Sequence, residues 1–342
     1  MTASEAAVVG VDVPALQRYF ERHVPQCAGP LGIELLHGGR SNLTYRVTDR
    51  THRWVLRRPP LGVLTPTAHD MDREYRVIAA LGGTGVPVAG AVLSCTDPGV
   101  IGAPFCVVDF VEGAVLRDGD EVAALPSADV RGCADALVDA LVALHAVDAA
   151  AVGLGDFGRP DGYLERQVRR WRGQWDKVAT RALPDLDALH GRLARTVPAS
   201  GAPAIVHGDY RLDNTILAPG DFGRIAAIVD WEMATLGDPL ADLGMLLMYW
   251  DPTCEPVLGA RHVPTAHPAF PVGHELAERY AARSGRDITA LPFYQALACF
   301  KLAVIAEGIH ARYLAGRTVG TGFEQVGSAV PALLRSGLEL LP

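Results

Sequence analysis

Residues 205–214 read Ile-Val-His-Gly-Asp-Tyr-Arg-Leu-Asp-Asn, and residues 225–231 read Ile-Ala-Ala-Ile-Val-Asp-Trp. Each stretch opens on a β-branched apolar run and ends in acids. Such runs favour strands, so the pair predicts a small hairpin that delivers Asp209, Asn214 and Asp230 to one spot. That set suits phosphoryl transfer, which asks a protein mainly for positioning and charge neutralisation. One carboxylate can accept a hydrogen bond from an attacking hydroxyl and take its proton. A second carboxylate and an amide oxygen can hold Mg²⁺, a hard cation that prefers oxygen donors. A single Asp in a turn is more often a cap or turn residue. The His-x-Asp-x-x-x-x-Asn spacing from His207 to Asn214, with Asp230 after it, is far more specific.

Upstream of this stretch the chain changes character. The first 110 residues or so alternate short apolar runs with turns. The run GIELL, then residues 43–48 and 53–58, predict three strands, the first two separated by His37-Gly38-Gly39-Arg40-Ser41-Asn42. Residues 69–81 have helical spacing and stop at Gly82-Gly83. Residues 90–95 and 104–111 supply two more strands. After Gly113 long helical patterns take over: 127–147, 161–181, 238–250, 273–284, 290–316 and 323–338, interrupted by a β-rich stretch at 203–231. Residues 251–272 are rich in proline and predict a long loop, a candidate substrate lid or simply a connection. The expectation is an α+β, bilobal architecture. A small antiparallel N-lobe with one helix covers residues 1–110, and a larger, mainly helical C-lobe covers 111–342, with a hinge near 109–113.

Composition narrows the function. A chain of 342 residues suits two lobes better than one compact domain. The net charge of −8 disfavours nucleic acid as a partner, because backbone binding needs clustered positive charge. The six cysteines are scattered without a C-x-x-C pair, so neither a zinc site nor a disulfide framework is indicated. A reducing, cytoplasmic setting is expected. No apolar run of about 18 residues predicts a membrane span, and the N-terminus has no secretory pattern. P-loop, dinucleotide-binding, zinc-protease and nucleophile-elbow motifs are absent.

The HGDYRLDN run matches the H-G-D-x-x-x-x-N of the aminoglycoside phosphotransferase superfamily, relatives of the protein kinases. Ile-Val-Asp-Trp at 228–231 resembles that family's counterpart of the kinase D-F-G, and Gly237-Asp238-Pro239-Leu240-Ala241-Asp242-Leu243 is also typical. The resemblance is strongest to the branch fused to acyl-CoA dehydrogenases in animals. It rests there on Val55–Pro60, Arg166–Trp171 and Gly308–Tyr313, and covers roughly residues 30–320. It implies a protein-kinase-like fold and a kinase that uses ATP (with GTP an open alternative) and Mg²⁺ to phosphorylate a hydroxyl of a small molecule. Asp209 would be the base and His207 would orient its loop, with Asp242 bracing that loop. Asn214 and Asp230 would be Mg²⁺ ligands. Gly38, Gly39, Arg40, Ser41 and Asn42 would close over the phosphates. Backbone groups of Asp109 and Val111 would meet the adenine edge, with the nucleotide between the lobes. Glu74 would pair with the third-strand cation.

That cation departs from the kinase pattern. The chain has two lysines, Lys177 and Lys301, and the third strand carries Arg57 instead. Arginine can grip phosphate bidentately and pair with a carboxylate, so Arg57–Glu74 is the expected pair. Within the branch, a hydroxyacyl-CoA or hydroxy acid is the expected acceptor, an aminoglycoside or other antibiotic is the alternative, and a non-catalytic nucleotide-binding module is a third reading. Arg166, Arg169, Arg170 and Arg172 are either a solvated helix face or a basic rim for an anionic substrate. His145 reads as a satisfied interior histidine and Asp238 as an N-cap. His262 and His267 read as incidental. Oligomeric state is not legible.

Overall fold

A computed structural model of the chain describes residues 8–36, 42–61, 70–258, 263–318 and 322–341. The chain divides into two compact units, one of residues 1–112 with 227–232, the other of 113–226 with 233–342. The sequence reading had placed 227–232 with the second group.

The first unit contains α1 (Val13–His23), β1 (Gly32–Leu36), β2 (Leu43–Thr48), β3 (Arg53–Arg58), α2 (Met71–Leu81), β4 (Ala91–Cys95) and β5 (Phe105–Asp109). The strands form one antiparallel sheet in the order β1-β2-β3-β5-β4. Alternation along β2 and β3 sends Tyr45, Val47, Trp54 and Leu56 into the core, and the register sets Tyr45 opposite Leu56 and Val47 opposite Trp54. Helix α1 lays Leu16 and Phe20 against this face, with the Phe20 and Trp54 rings edge-on at 5.4 Å. Each such buried side chain contributes about 1.5–3 kcal/mol. The sequence reading expected one helix here and missed α1. Its signals were present: Asp12 accepts a hydrogen bond from the Ala15 N–H at 2.8 Å, and a proline sits in the first turn.

The same alternation turns Arg57 to the opposite face of β3 from Trp54, Leu56 and Arg58. Helix α2 starts at its cap Asp70, which accepts the Arg73 N–H at 3.0 Å. One turn on, the helix buries Glu74.

The second unit contains α3 (Gly119–Ala123), α4 (Ser127–His145), α5 (Tyr163–Val178), α6 (Pro184–Arg195), β6 (Ala204–Val206), β7 (Thr215–Ala218), β8 (Asp221–Ile228), β9 (Thr235–Gly237), α7 (Leu240–Trp250), α8 (Glu255–Leu258), α9 (Gly273–Ser284), α10 (Leu291–Leu314) and α11 (Val326–Leu340); β8 ends in residues grouped with the first unit. Helix α10 packs against α5, α7 and α11. It is long and apolar enough to cross a membrane by composition, but 78% of its most apolar window is buried inside the protein, which is the pattern of a core helix. Helix α6 was missed in the sequence. Segment 251–272 holds α8 and two single 3-10 turns at 252–254 and 264–266.

One expectation is overturned. The stretches at 205 and 225 do not pair with each other: β6 pairs with β9, and β8 with β7. The reason is local. Only Pro219 and Gly220 separate β7 from β8, and Gly220 takes a left-handed φ of 71°, so the tight turn fixes that hairpin first. Asp209 and Asn214 then belong to the second unit, and Asp230 to the first.

Candidate active site

In the second unit, β6 ends at Val206 and the chain turns through His207, Gly208 and Asp209. Gly208 has φ 83°, and a Cβ there would lie 2.7 Å from the Met233 carbonyl oxygen, so glycine is required. The turn is braced from α7. Asp242, fully buried, accepts the His207 N–H at 2.6 Å through Oδ2 and the Gly208 N–H at 2.7 Å through Oδ1. His145 Nε2 lies 3.2 Å from Asp242 Oδ2, and the Tyr280 hydroxyl lies 2.7 Å from His145 Nδ1. His145 is thus a buried histidine with both ring nitrogens partnered. Burial alone raises a carboxyl, but the hydrogen bonds from His145 and Gly208 hold Asp242 below its ordinary value.

The Asp209 N–H donates to His207 Nδ1 at 3.3 Å. Its carboxylate is held on both oxygens. Oδ1 accepts the Tyr249 hydroxyl at 2.8 Å, and Oδ2 accepts Asn214 Nδ2 at 3.1 Å and lies 3.5 Å from Arg211 Nε. Asn214, in a 3-10 turn, donates also to the Asp209 carbonyl at 2.8 Å. Arg211 pairs with Asp213 at 3.0 Å and lies over the Tyr249 ring at 5.0 Å. Burial works to raise Asp209. The Arg211 and Lys301 cations and the Tyr249 hydroxyl outweigh it and hold the carboxyl below its ordinary value, so the group is ionised at neutral pH.

Tyr249 and Lys301 were not picked out from the sequence as site residues. Lys301, on α10, donates from Nζ to the Gly208 carbonyl and sits 5.5 Å from the Trp171 ring centroid. The signal that could have found it was its rarity: it is one of two lysines among 31 basic residues.

In the first unit, Arg57 is the centre of a charge cluster. Its Nη1 lies 2.8 Å from Glu74 Oε1, and its Nη2 donates to Asp230 Oδ1 at 2.7 Å. The Glu74 contact is an ion pair without an aligned hydrogen bond, and both buried Glu74 oxygens lack one. Asp230 is the one non-glycine residue with positive φ, 66°, among the described residues. Such strain is held only where surrounding contacts impose it, and it concentrates at functional sites. Here the Ile228 N–H donates to the Pro87 carbonyl at 2.9 Å and the Trp231 indole to the Ile228 carbonyl at 3.0 Å. Asn42 is buried and donates to Glu232 at 3.0 Å. Gly38, Gly39, Arg40 and Ser41 lie outside the described residues, as does His262.

Burial pushes Glu74 up to about 7, Arg57 opposing it and Asp230 and Glu232 adding to it. Burial works against the Arg57 charge too, but its carboxylate neighbours prevail and it stays protonated. Because the folded Glu74 value exceeds the ordinary 4.5, the stability it contributes is full below about pH 4.5 and is lost as pH rises through about 7. Glu74→Gln is therefore expected to flatten the fall in unfolding midpoint between pH 5 and 7.5, measured in the absence of nucleotide. An unchanged slope in the variant would assign that fall to other groups.

At the end of β5 the Asp109 N–H is committed to the Gly90 carbonyl at 2.7 Å. That N–H is therefore not available to a ligand. The Val111 N–H has no hydrogen-bond partner among the described residues.

No group of three or more His, Cys, Asp or Glu that could hold a metal occurs among the described residues. The proposed Mg²⁺ ligands are of another kind. Asn214 spends its amide N–H groups on Asp209, which leaves its oxygen as a donor. Asp230 spends Oδ1 on Arg57, leaving Oδ2. Both are hard oxygen donors and fit Mg²⁺.

On α5 the arginines separate into two kinds. Arg166 donates to the carbonyls of Asp161 and Arg159, and Arg172 pairs with Asp176 and Asp187. Arg169 and Arg170 are exposed and have no carboxylate partner among the described residues; Arg170 lies over Trp171 at 5.6 Å. Asp238 accepts the Leu240 N–H at 3.1 Å, as a cap would, and the Tyr294 hydroxyl at 2.8 Å.

The family model described as the phosphotransferase enzyme family (APH) matches residues 32–282. Acyl-CoA dehydrogenase family member 11 of Gallus gallus is 37% identical over 344 residues, which cover 96% of this chain and 43% of the relative. The chain thus spans less than half the length of that relative. The crystal structure of a candidate aminoglycoside phosphotransferase from Ralstonia eutropha is similar with a TM-score of 0.83 and 34% identity, over 97% of this chain and 98% of that one. A thermostable mutant of aminoglycoside phosphotransferase APH(4)-Ia, in a ternary complex with ADP and hygromycin B, is similar with a TM-score of 0.61 over 94% of this chain and 99% of that one; at 15% identity the likeness is one of fold.

Proposed function

Since the chain belongs to the phosphotransferase enzyme family (APH), we propose that it moves the γ-phosphate of ATP to a hydroxyl of a small molecule, with Asp209 as the base. The observation that carries this is the Asp209 carboxylate, ionised and oriented by Tyr249, Asn214 and Arg211. A general base must be deprotonated at working pH and fixed in direction, and Asp209 meets both conditions. Mg²⁺, when bound, would neutralise charge on the phosphates; Asn214 and Asp230 offer oxygen donors for it. Asp209 accepts the hydrogen bond of the acceptor hydroxyl and takes its proton as the oxygen attacks. His207 and Asp242 hold the loop that presents it. Arg57, braced by Glu74 and Asp230, takes the place of the third-strand lysine and grips phosphate. The Asp109 carbonyl and the Val111 N–H serve the adenine edge. Gly38 to Asn42 supply backbone N–H groups to the phosphates.

For the acceptor, the charges near Asp209 favour an anionic molecule over a polycation. Arg211 and Lys301 both act on the carboxylate, and Arg170 acts on Lys301. Arg169 and Arg170 on α5 have positive charge to spare. A hydroxy acid or its coenzyme A ester fits this field, and the similarity to acyl-CoA dehydrogenase family member 11 leads in the same direction. An aminoglycoside would bring several ammonium groups against it.

The test is Mg-ATP turnover against a panel of hydroxy acids, hydroxyacyl-CoA esters, aminoglycosides and macrolides. Phosphate is expected on the hydroxyl of an anionic member. Transfer to an aminoglycoside alone would reverse the acceptor reading and leave the kinase reading intact. Nucleotide binding without transfer to any member, or to water, would favour a nucleotide-binding module.

A further inference from the structure

The chain writes nearly all its positive charge as arginine: of 31 basic residues two are lysine. One of those two is buried in α10, 7% exposed, beneath the Asp209 loop. A buried ammonium usually sits against a carboxylate, yet no carboxylate lies within ion-pair distance of Lys301 among the described residues. Its hydrogen bond goes to the Gly208 carbonyl, and Trp171 covers it from the side. The Gly208 residue is therefore held at both ends. Asp242 takes its N–H, and Lys301 takes its C=O. The carbonyl belongs to the peptide that leads directly into Asp209.

We propose that Lys301 is a positioning residue for phosphoryl transfer, its ammonium fixing the Gly208–Asp209 peptide and with it the direction of the Asp209 carboxylate. This rests on the reading of Asp209 as the base. The choice of lysine has a physical reason. An ammonium is compact and can place one N–H on one carbonyl under a ring. A guanidinium spreads five N–H groups over a plane, and in this buried site most would find no acceptor. Burial lowers the Lys301 value, while the Asp209 and Asp242 charges work to keep it protonated. The residue lies 93 positions from Gly208 in the chain, so the contact belongs to the packing of α10 and not to the motif.

The experiment uses the full chain with Mg-ATP and water as the acceptor, so that no substrate need be known. Lys301→Met and Lys301→Arg are compared with wild type for hydrolysis rate, for ATP affinity by calorimetry and for unfolding midpoint. The expected result is a fall in kcat of roughly ten- to a hundredfold in both, as a small misplacement of a reacting group gives. ATP affinity should stay within about twofold, since the residue contacts the base's loop and not the nucleotide. Wild-type kcat in either variant overturns the proposal. So does a loss of ATP affinity that parallels the loss of rate, which would mark a structural role. If Lys301→Met fails to fold, Lys301→Arg, which keeps the charge, decides alone. Asp209→Asn is run alongside. If it hydrolyses ATP like wild type, the base assignment itself fails. If it is inactive while the Lys301 variants are active, the Lys301 inference alone fails.

Discussion

Asp209→Asn is expected to lower phosphoryl transfer by roughly 10²–10⁴-fold, the range that a positioned general base supplies. The substitution is nearly isosteric. The carboxamide oxygen can still accept the Tyr249 hydroxyl, now 2.8 Å from Oδ1, while its NH₂ replaces the oxygen that accepts from Asn214, so one of the two side-chain hydrogen bonds is kept. What disappears is the basic oxygen that takes the proton. Nucleotide affinity should be unchanged within about twofold, because the lost interaction is used in the transition state. Initial rates with the acceptor found in the panel, beside calorimetric titration with ATP, separate the two effects. In the wild type the carboxyl lies below its ordinary value. The acidic limb of kcat/KM should therefore fall below about pH 4, with the rate flat from there to neutrality as far as this group is concerned. Full activity in Asp209→Asn would remove the base from the mechanism.

The second large effect is expected at Asp242, and it is one of stability as well as rate. Asp242→Ala leaves the His207 N–H, the Gly208 N–H and His145 Nε2 facing an interior without their acceptor. Breaking a buried charged network by removing one member costs about 3–5 kcal/mol. For a chain of this size that corresponds to a drop in unfolding midpoint of about 4–7 °C. Activity should fall with it even below the midpoint, because the removed carboxylate held the loop that carries Asp209. The sign of the pH dependence follows from the lowered carboxyl. Its contribution is present above the unfolded value near 3.8 and is lost as pH falls through the lower folded value. The midpoints of wild type and variant should therefore converge in acid. A midpoint within a degree or so of wild type at neutral pH would show that the two backbone N–H groups find other partners.

Local signals carried the reading of the sequence furthest. Strand alternation along 43–48 and 53–58 gave β2 and β3 with their boundaries and placed Arg57 opposite Trp54 and Leu56. Caps and periodicity gave α2, α4, α7 and α10 to within a few residues. Where the reading missed a helix, as at α1, the cap was there and was passed over. Where it joined the wrong strands, it matched two similar apolar runs at a distance and overlooked the two-residue turn between β7 and β8, which closes with far less loss of chain entropy. The motif spacing brought His207, Gly208, Asp209 and Asn214 together because they contact one another within a few residues of chain.

What the sequence by itself determined is thus the class of fold and the candidates for the site: Asp209 with Asn214 at a fixed spacing and Asp230 further along the chain. What the tertiary structure decided is how each is held. Arg57 reaches Asp230 across 173 positions, His145 reaches Asp242 across 97, Lys301 reaches Gly208 across 93 and Tyr249 reaches Asp209 across 40. No spacing rule encodes these pairs. Each depends on which helix faces bury together, and burial also sets whether the charges they join are raised or lowered.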